Sequence, residues 1–124
     1  MNTLLVLLFA PFFIATAIPG GIKTMDVNNP KYLDKIWMGI PTINAMSNSS
    51  NYLVPAKVLS ATEQTVAGVR YTFDLLMAET NCNQKNGNRS MCIPSPNAPT
   101  STYRLTLLEK LWKNYSEYSA EKIN

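Results

Sequence analysis

The sequence contains no histidine and only two cysteines. Without an imidazole there is no Ser-His-Asp triad, no Cys-His pair and no nitrogen ligand for a metal. Two thiolates fall short of the four that an all-cysteine structural zinc site takes. No metal and no cofactor is therefore expected. A concentrated basic face is missing as well. The 11 Lys and Arg against 8 Asp and Glu leave a formal charge of +3, and the basic residues are spread from Lys23 to Lys122. Nucleic-acid binding needs such a face, so no nucleic-acid partner is expected. No internal repeat or long low-complexity tract occurs in the 124 residues, and one domain with a modest core is the ceiling. No two of the eight carboxylates stand in a spacing with known mechanics. Carboxylates distant in sequence can still meet in space. Burial statistics nonetheless favour solvated surface charges, and the chain is read as a non-enzyme.

Charge is also absent from Met1 to Ala17, where Leu4–Phe9 and Phe12–Ile14 are apolar runs and Ala15-Thr16-Ala17 is a small-x-small triplet. This is the layout of a cleaved secretory signal over residues 1–17, although its n-region lacks the usual Lys or Arg. Pro11 interrupts the stretch, which is shorter than the roughly 20 residues a membrane-spanning helix takes. The mature domain, 18–124, is expected to be secreted and extracellular, with no membrane association. In an oxidising compartment Cys82 and Cys92 pair. Closing that loop contributes about 2.8 kcal/mol on the chain-entropy view. A reactive thiol is the weaker reading, because no His is present to activate it. Asn48-Ser49-Ser50, Asn88-Arg89-Ser90 and Asn114-Tyr115-Ser116 are N-glycosylation sequons, as a secreted glycoprotein carries.

Along the mature chain, Ile18-Pro19-Gly20-Gly21-Ile22 reads as irregular. Asn29-Pro30 is a helix start, with Asn at the N-cap and Pro at the first helical position. Leu33, Ile36, Trp37 and Ile40 then fall on one face, and the helix runs to about Met46, weakened by Gly39 and Pro41. After a polar turn over 47–51 the period becomes two. Val54, Ala56 and Val58 predict a strand, and Val69, Tyr71, Phe73, Leu75 and Met77 predict a cleaner one. Gln64-Thr65-Val66-Ala67-Gly68 between them is a hairpin tip. Residues 93–99, with three prolines, read as irregular. Tyr103, Leu105 and Leu107 predict a third long strand, followed by a second tip near Glu109–Trp112 and a weakly patterned last strand from Tyr115 to about Ile123. The order is one helix, then four short antiparallel strands: an α+β fold with the helix covering the sheet. Binding groups are often displayed on loops held by a rigid scaffold. Three segments qualify here: Gly20-Gly21, the tip with Val66, and Leu111-Trp112. From pattern alone Trp112 reads better as an ordinary core aromatic; a chance apolar turn residue is the other reading of Val66, and a disordered leader that of Gly20-Gly21.

The pentapeptide Gln64–Gly68 matches Gln-x-Val-x-Gly, the first-hairpin signature of the cystatins. A Gly-Gly pair precedes the helix, a Cys pair follows the signature, and Tyr103–Trp112 looks like the family's fourth strand and Pro-Trp hairpin. With these four features in order, the chain resembles a secreted, type 2-like cystatin, most of all the nematode members, in which a Glu-Lys-Pro-Trp run is common. The resemblance spans nearly all of the mature chain. It implies the cystatin fold, one N-terminal helix on a four- to five-stranded antiparallel sheet. The function it implies is reversible, tight-binding inhibition of papain-like cysteine proteases of the cathepsin L, S or B type. Gly20 and Gly21, then Gln64, Thr65, Val66, Ala67 and Gly68, and finally Leu111 and Trp112 would form a wedge in the active-site cleft. The resemblance also implies a second site, for legumain, at Ser47-Asn48-Ser49, with Asn48 in the reactive place and Ser49 where Asp is frequent. A glycosylated polar turn is the other reading of Asn48. Four departures stand out: Leu111 replaces the family's Pro, only Ile18 and Pro19 precede Gly20 after cleavage, Pro41 sits within the helix, and the second disulfide is absent. A cystatin-fold secreted protein that binds a non-protease, immunomodulatory partner, with weak or no protease inhibition, is the alternative function.

Overall fold

The computed structural model describes residues 21–124. The leader expected at 1–17, and Ile18 to Gly20 after it, lie outside them. The elements are β1 (Ile22–Thr24), α1 (Pro30–Met46), β2 (Asn51–Val66), β3 (Gly68–Asn83), β4 (Thr100–Lys110) and β5 (Tyr115–Lys122). The strands form one antiparallel sheet in the order β1-β2-β3-β4-β5, with α1 packed across it.

The helix begins as its sequence dictates. The Asn29 side chain accepts a hydrogen bond from the Lys31 backbone N–H at 3.0 Å, and Pro30 occupies the first turn, where its missing N–H is no loss. The buried stripe is rotated from the predicted one. Tyr32, Ile36, Ile40 and Ile43 are buried, whereas Leu33 is 37% exposed and Trp37 only partly buried. The cause lies in the sheet, which offers an aromatic floor: the Tyr32 ring sits 6.0 Å from both Tyr71 and Phe73. Trp37 turns outward and carries the Arg89 guanidinium 4.8 Å from its ring centre. Gly39 does not break the helix. A Cβ there would lie 2.6 Å from Leu105 Cδ2 and 2.7 Å from Tyr118 Cδ1, so the bare backbone lets α1 sit close on the sheet. Gly39→Ala is accordingly expected to lower the urea midpoint. Forced separation of packed elements costs about 1–3 kcal/mol, more than the roughly 0.5–1 kcal/mol that Ala gains in helix propensity.

The strands are longer than predicted. β2 and β3 have 16 residues each. In β3 the alternation is as read, with Tyr71, Phe73, Leu75 and Met77 all buried, and β4 adds Tyr103, Leu105 and Leu107 to the same face. β2 departs from its pattern. Register shifts at Asn51/Leu53, Pro55/Lys57 and Val58/Ser60 break the two-residue period, so Ala56 is exposed and Val58 only half-buried. The start of the chain departs too. Ile22–Thr24 is no loop but a short edge strand, paired with Thr62–Gln64 of β2.

Two devices close the end of the sheet remote from the Val66–Gly68 turn. Cys82 and Cys92 form the disulfide, with their Cα atoms 5.6 Å apart. Asn44, buried on the last turns of α1, donates to the carbonyls of Ile40 (3.2 Å) and Leu53 (2.9 Å). It also accepts from the Leu53 N–H (2.8 Å) and from Gln84 Nε2 (3.0 Å). One carboxamide thereby ties α1, β2 and the disulfide loop together.

Candidate functional site

The register of the sheet brings the sequence-singled segments to one edge of the molecule. Ile22 pairs with Gln64, which sets Gly21 beside the first tip. Val66 pairs with Gly68 across the single residue Ala67, so Gln64, Thr65 and Val66 belong to β2 and the turn is tighter than five residues. Val69 pairs with Glu109, and Lys110 with Tyr115, which places the second tip next to the first. Val66, Gly68, Val69, Glu109, Leu111 and Trp112 line a shallow apolar notch between the two tips.

Gly68 is required at its position on two grounds. Its φ is +118°, a conformation side chains rarely adopt, and a Cβ there would collide with the Glu109 carbonyl oxygen of the second hairpin. The close approach of the two tips depends on that bare backbone. The second tip is one 3₁₀ turn, Leu111–Lys113, closed by Asn114 in the left-handed conformation (φ 48°), whose N–H donates to the Leu111 carbonyl at 3.2 Å. This turn leaves Leu111 80% and Trp112 66% exposed. Trp112 is therefore not a core aromatic: β4 runs on through Lys110, and the residue falls beyond the helix's cover. Ile22, 68% exposed on β1 at the same edge, is an apolar site residue that the sequence reading did not single out.

The helix holds both hairpin stems through residues the sequence did not flag. Lys35 Nζ lies 2.8 Å from Glu109 Oε2, with both side chains about four-fifths buried, and 4.9 Å from the centre of the Tyr71 ring. Tyr118 Oη donates to the Lys35 carbonyl at 2.6 Å. On the other stem, Tyr32 Oη donates to Glu63 Oε1 at 3.4 Å. No spacing rule marks a lysine for such a place; it emerges only when α1 crosses β3 and β4. Lys35→Met leaves Glu109 as a largely buried carboxylate without a partner. The expected cost is about 1–3 kcal/mol, read as a lower urea midpoint, and Lys35→Arg is expected to recover most of it.

Burial, and then the nearby Glu63, Glu109 and Tyr32, push the Tyr71 phenol up to about 12. The neutral phenol is thus favoured in the folded chain, while the unfolded chain ionises near 10. This contribution is present in full below pH 10 and is lost as pH rises from 10 toward 12. Urea midpoints are expected to fall across that window, and Tyr71→Phe is expected to flatten the fall.

Asn48 lies at the opposite end, exposed in the turn between α1 and β2. Ser49 fixes that turn: its N–H donates to Ser47 Oγ (3.0 Å), its hydroxyl donates to the Asn51 carbonyl (2.9 Å), and it accepts from the Asn51 N–H (3.2 Å). Asn88 is exposed on the disulfide loop, and Asn114 closes the second tip. Among the described residues no group of three or more Cys, Asp or Glu comes together as a metal site, and no helix is long and apolar enough to cross a membrane.

Comparison with known proteins gives a consistent result. The cystatin domain family matches residues 20–112. Cystatin cpi-1 of Caenorhabditis elegans is 33% identical over 112 residues, covering 86% of this chain and 79% of its own length. Cystatin-1 of the snake Crotalus adamanteus is 30% identical, covering 69% of this chain and 62% of its own. Among solved structures, the crystal structure of Al-CPI is 31% identical with a TM-score of 0.74, covering 84% of this chain and 100% of its own. The salivary cystatin of the soft tick Ornithodoros moubata, 20% identical with a TM-score of 0.71, covers 86% of this chain and 100% of its own and shares the fold.

Proposed function

The chain belongs to the cystatin family, whose members inhibit cysteine proteases and are not enzymes, and on that premise we propose that it is a secreted, reversible, tight-binding inhibitor of papain-like proteases of the cathepsin L, S or B type. The observation that carries this reading is the row of segments at one edge: Gly21, the Val66–Gly68 turn and the exposed Trp112 stand side by side on a rigid sheet. A wedge of that kind blocks a cleft without chemistry of its own. Gly20 and Gly21 lack side chains, so the backbone comes close to the protease's catalytic thiol. Val66 and the backbone of Gln64–Gly68 fill the centre, and Leu111 with Trp112 covers the far side. An aromatic that excludes water is the characteristic hot spot of such contacts, and hairpins already ordered in the free protein limit the entropy lost on binding. Export implies removal of residues 1–17, and N-terminal sequencing of the secreted protein is expected to begin at Ile18.

Titration of papain and cathepsin L with the mature protein tests the reading. Stoichiometric loss of protease activity is expected; full activity at micromolar inhibitor overturns it. A folded, disulfide-bonded protein that fails this titration would favour the alternative, a non-protease partner.

The Ser47–Ser49 turn supports a second contact, with legumain. Asn48 is presented on a turn fixed by three hydrogen bonds, at the end of the sheet away from the wedge, so both contacts can form together. Asn48→Ala is the direct probe: it would abolish legumain inhibition and leave papain titration unchanged.

A further inference from the structure

We infer that Asn114 is a modification site, and that an N-linked glycan on it keeps the Trp112 hairpin out of a protease cleft. The inference rests on the reading of the chain as a secreted inhibitor. Three sequons occur in the sequence, and the fold sorts them. Asn48 sits in the turn between α1 and β2, at the end of the sheet away from the wedge, and Asn88 lies on the disulfide loop; only Asn114 stands at the wedge. Its residue is exposed, and among the described residues its carboxamide makes no hydrogen bond, the backbone N–H alone being used, toward Leu111. By contrast, Asn88 Oδ1 accepts from the Ser90 N–H, the Ser90 hydroxyl and the Met91 N–H. Asn114 therefore gives up no contact of its side chain when it is modified.

The turn decides the consequence. Asn114 closes the 3₁₀ turn Leu111–Lys113 in the left-handed conformation, which sets its side chain two residues from Trp112, the most exposed aromatic at the apolar notch. A glycan there is bulky and solvated, while a hot-spot aromatic acts by excluding water. The two cannot occupy the rim of one cleft. In the transfer, Asn114 Nδ2 attacks the anomeric carbon of a lipid pyrophosphate-linked oligosaccharide. The N–C bond forms, the C–O bond to phosphate breaks, the electron pair leaves with the lipid pyrophosphate, and the amide proton passes to a base of the transferase.

The experiment compares the full sequence secreted from insect cells with the same sequence made in the bacterial periplasm, which lacks the transferase. Peptide mass spectrometry is expected to show a glycan at Asn114. The glycosylated form is expected to inhibit papain roughly 30-fold or more weakly than the bare form, the scale of losing one hot spot. Ser116→Ala, which removes the sequon and leaves Asn114 in its turn, is expected to restore full inhibition. Ser90→Ala, which removes only the Asn88 sequon, is expected to leave the weak inhibition unchanged. An unmodified Asn114, or a glycosylated form as potent as the bare one, overturns the inference. If the bare periplasmic protein itself fails to inhibit, the reading of function fails and the gating with it, whatever the occupancy.

Discussion

Trp112→Ala, made in the protein that carries no glycan at Asn114, is expected to raise the dissociation rate of the complex with papain or cathepsin L by roughly 30- to 800-fold, the range of a 2–4 kcal/mol hot spot. The folded protein is expected to remain as stable as before. Trp112 is 66% exposed and stands outside the cluster of buried side chains, so its removal leaves no cavity, and such surface changes usually fall within about 0.5 kcal/mol. The association rate is expected to change little, because affinity differences within one interface lie mostly in dissociation. Stopped-flow association together with dissociation into excess substrate separates the two rates. An unchanged dissociation rate would show that the second hairpin does not engage the protease. Leu111 is the reason this outcome carries information. The family's usual Pro fixes the turn by its ring, whereas here Asn114 and its hydrogen bond to Leu111 fix it instead.

The second large effect falls on stability. Asn44→Ala strips partners from the Leu53 N–H, the Leu53 carbonyl and Gln84 Nε2 in one step. Leaving buried polar groups unpaired costs about 1–3 kcal/mol each where water cannot reach them. Gln84 Nε2 keeps the Asn51 carbonyl at 2.9 Å, so the expected total is about 3 kcal/mol. This is a large share of the stability of a small domain. Urea unfolding followed by circular dichroism would read it as a lower midpoint with an unchanged slope. Papain titration of the remaining folded protein is expected to be normal, since Asn44 serves the end of the sheet away from the wedge. A loss below about 0.5 kcal/mol would show that water replaces the carboxamide.

Periodicity found the elements whose environment is uniform. β3 and β4 lie in the middle of the sheet under the helix, so every second residue is buried and the alternation is legible. β2 is an edge along the part that β1 does not cover, and its bulges cancel the period there. The helix was placed by its Asn29-Pro30 start, but its buried face was not, because Leu33 and Tyr32 compete for the core on nearly equal terms. The aromatic pair Tyr71 and Phe73 settles the choice for Tyr32. Pattern alone reads Trp112 as a core aromatic for a related reason, whereas the family resemblance puts it on the second hairpin. An aromatic after an alternating strand has the composition of a core residue, and only the length of β4 relative to the helix shows that it projects past the cover.

What the sequence determined by itself is local: the helix cap, the two central strands, the Cys82–Cys92 staple, and the Gln64–Gly68 signature, one of the four features whose order carries the family resemblance. Each follows from residues near one another along the chain. The tertiary structure decided what depends on pairing between distant residues. It set Gly21, Val66 and Trp112 along one edge, bound Lys35 to Glu109, and laid Gly68 against a carbonyl of the neighbouring hairpin. It also set the other two sequons, Asn48 and Asn88, away from Trp112. Strand register is the physical reason. A shift of one residue in any pairing would turn side chains to the opposite face and move every tip relative to the next, and no single segment of the sequence carries that information.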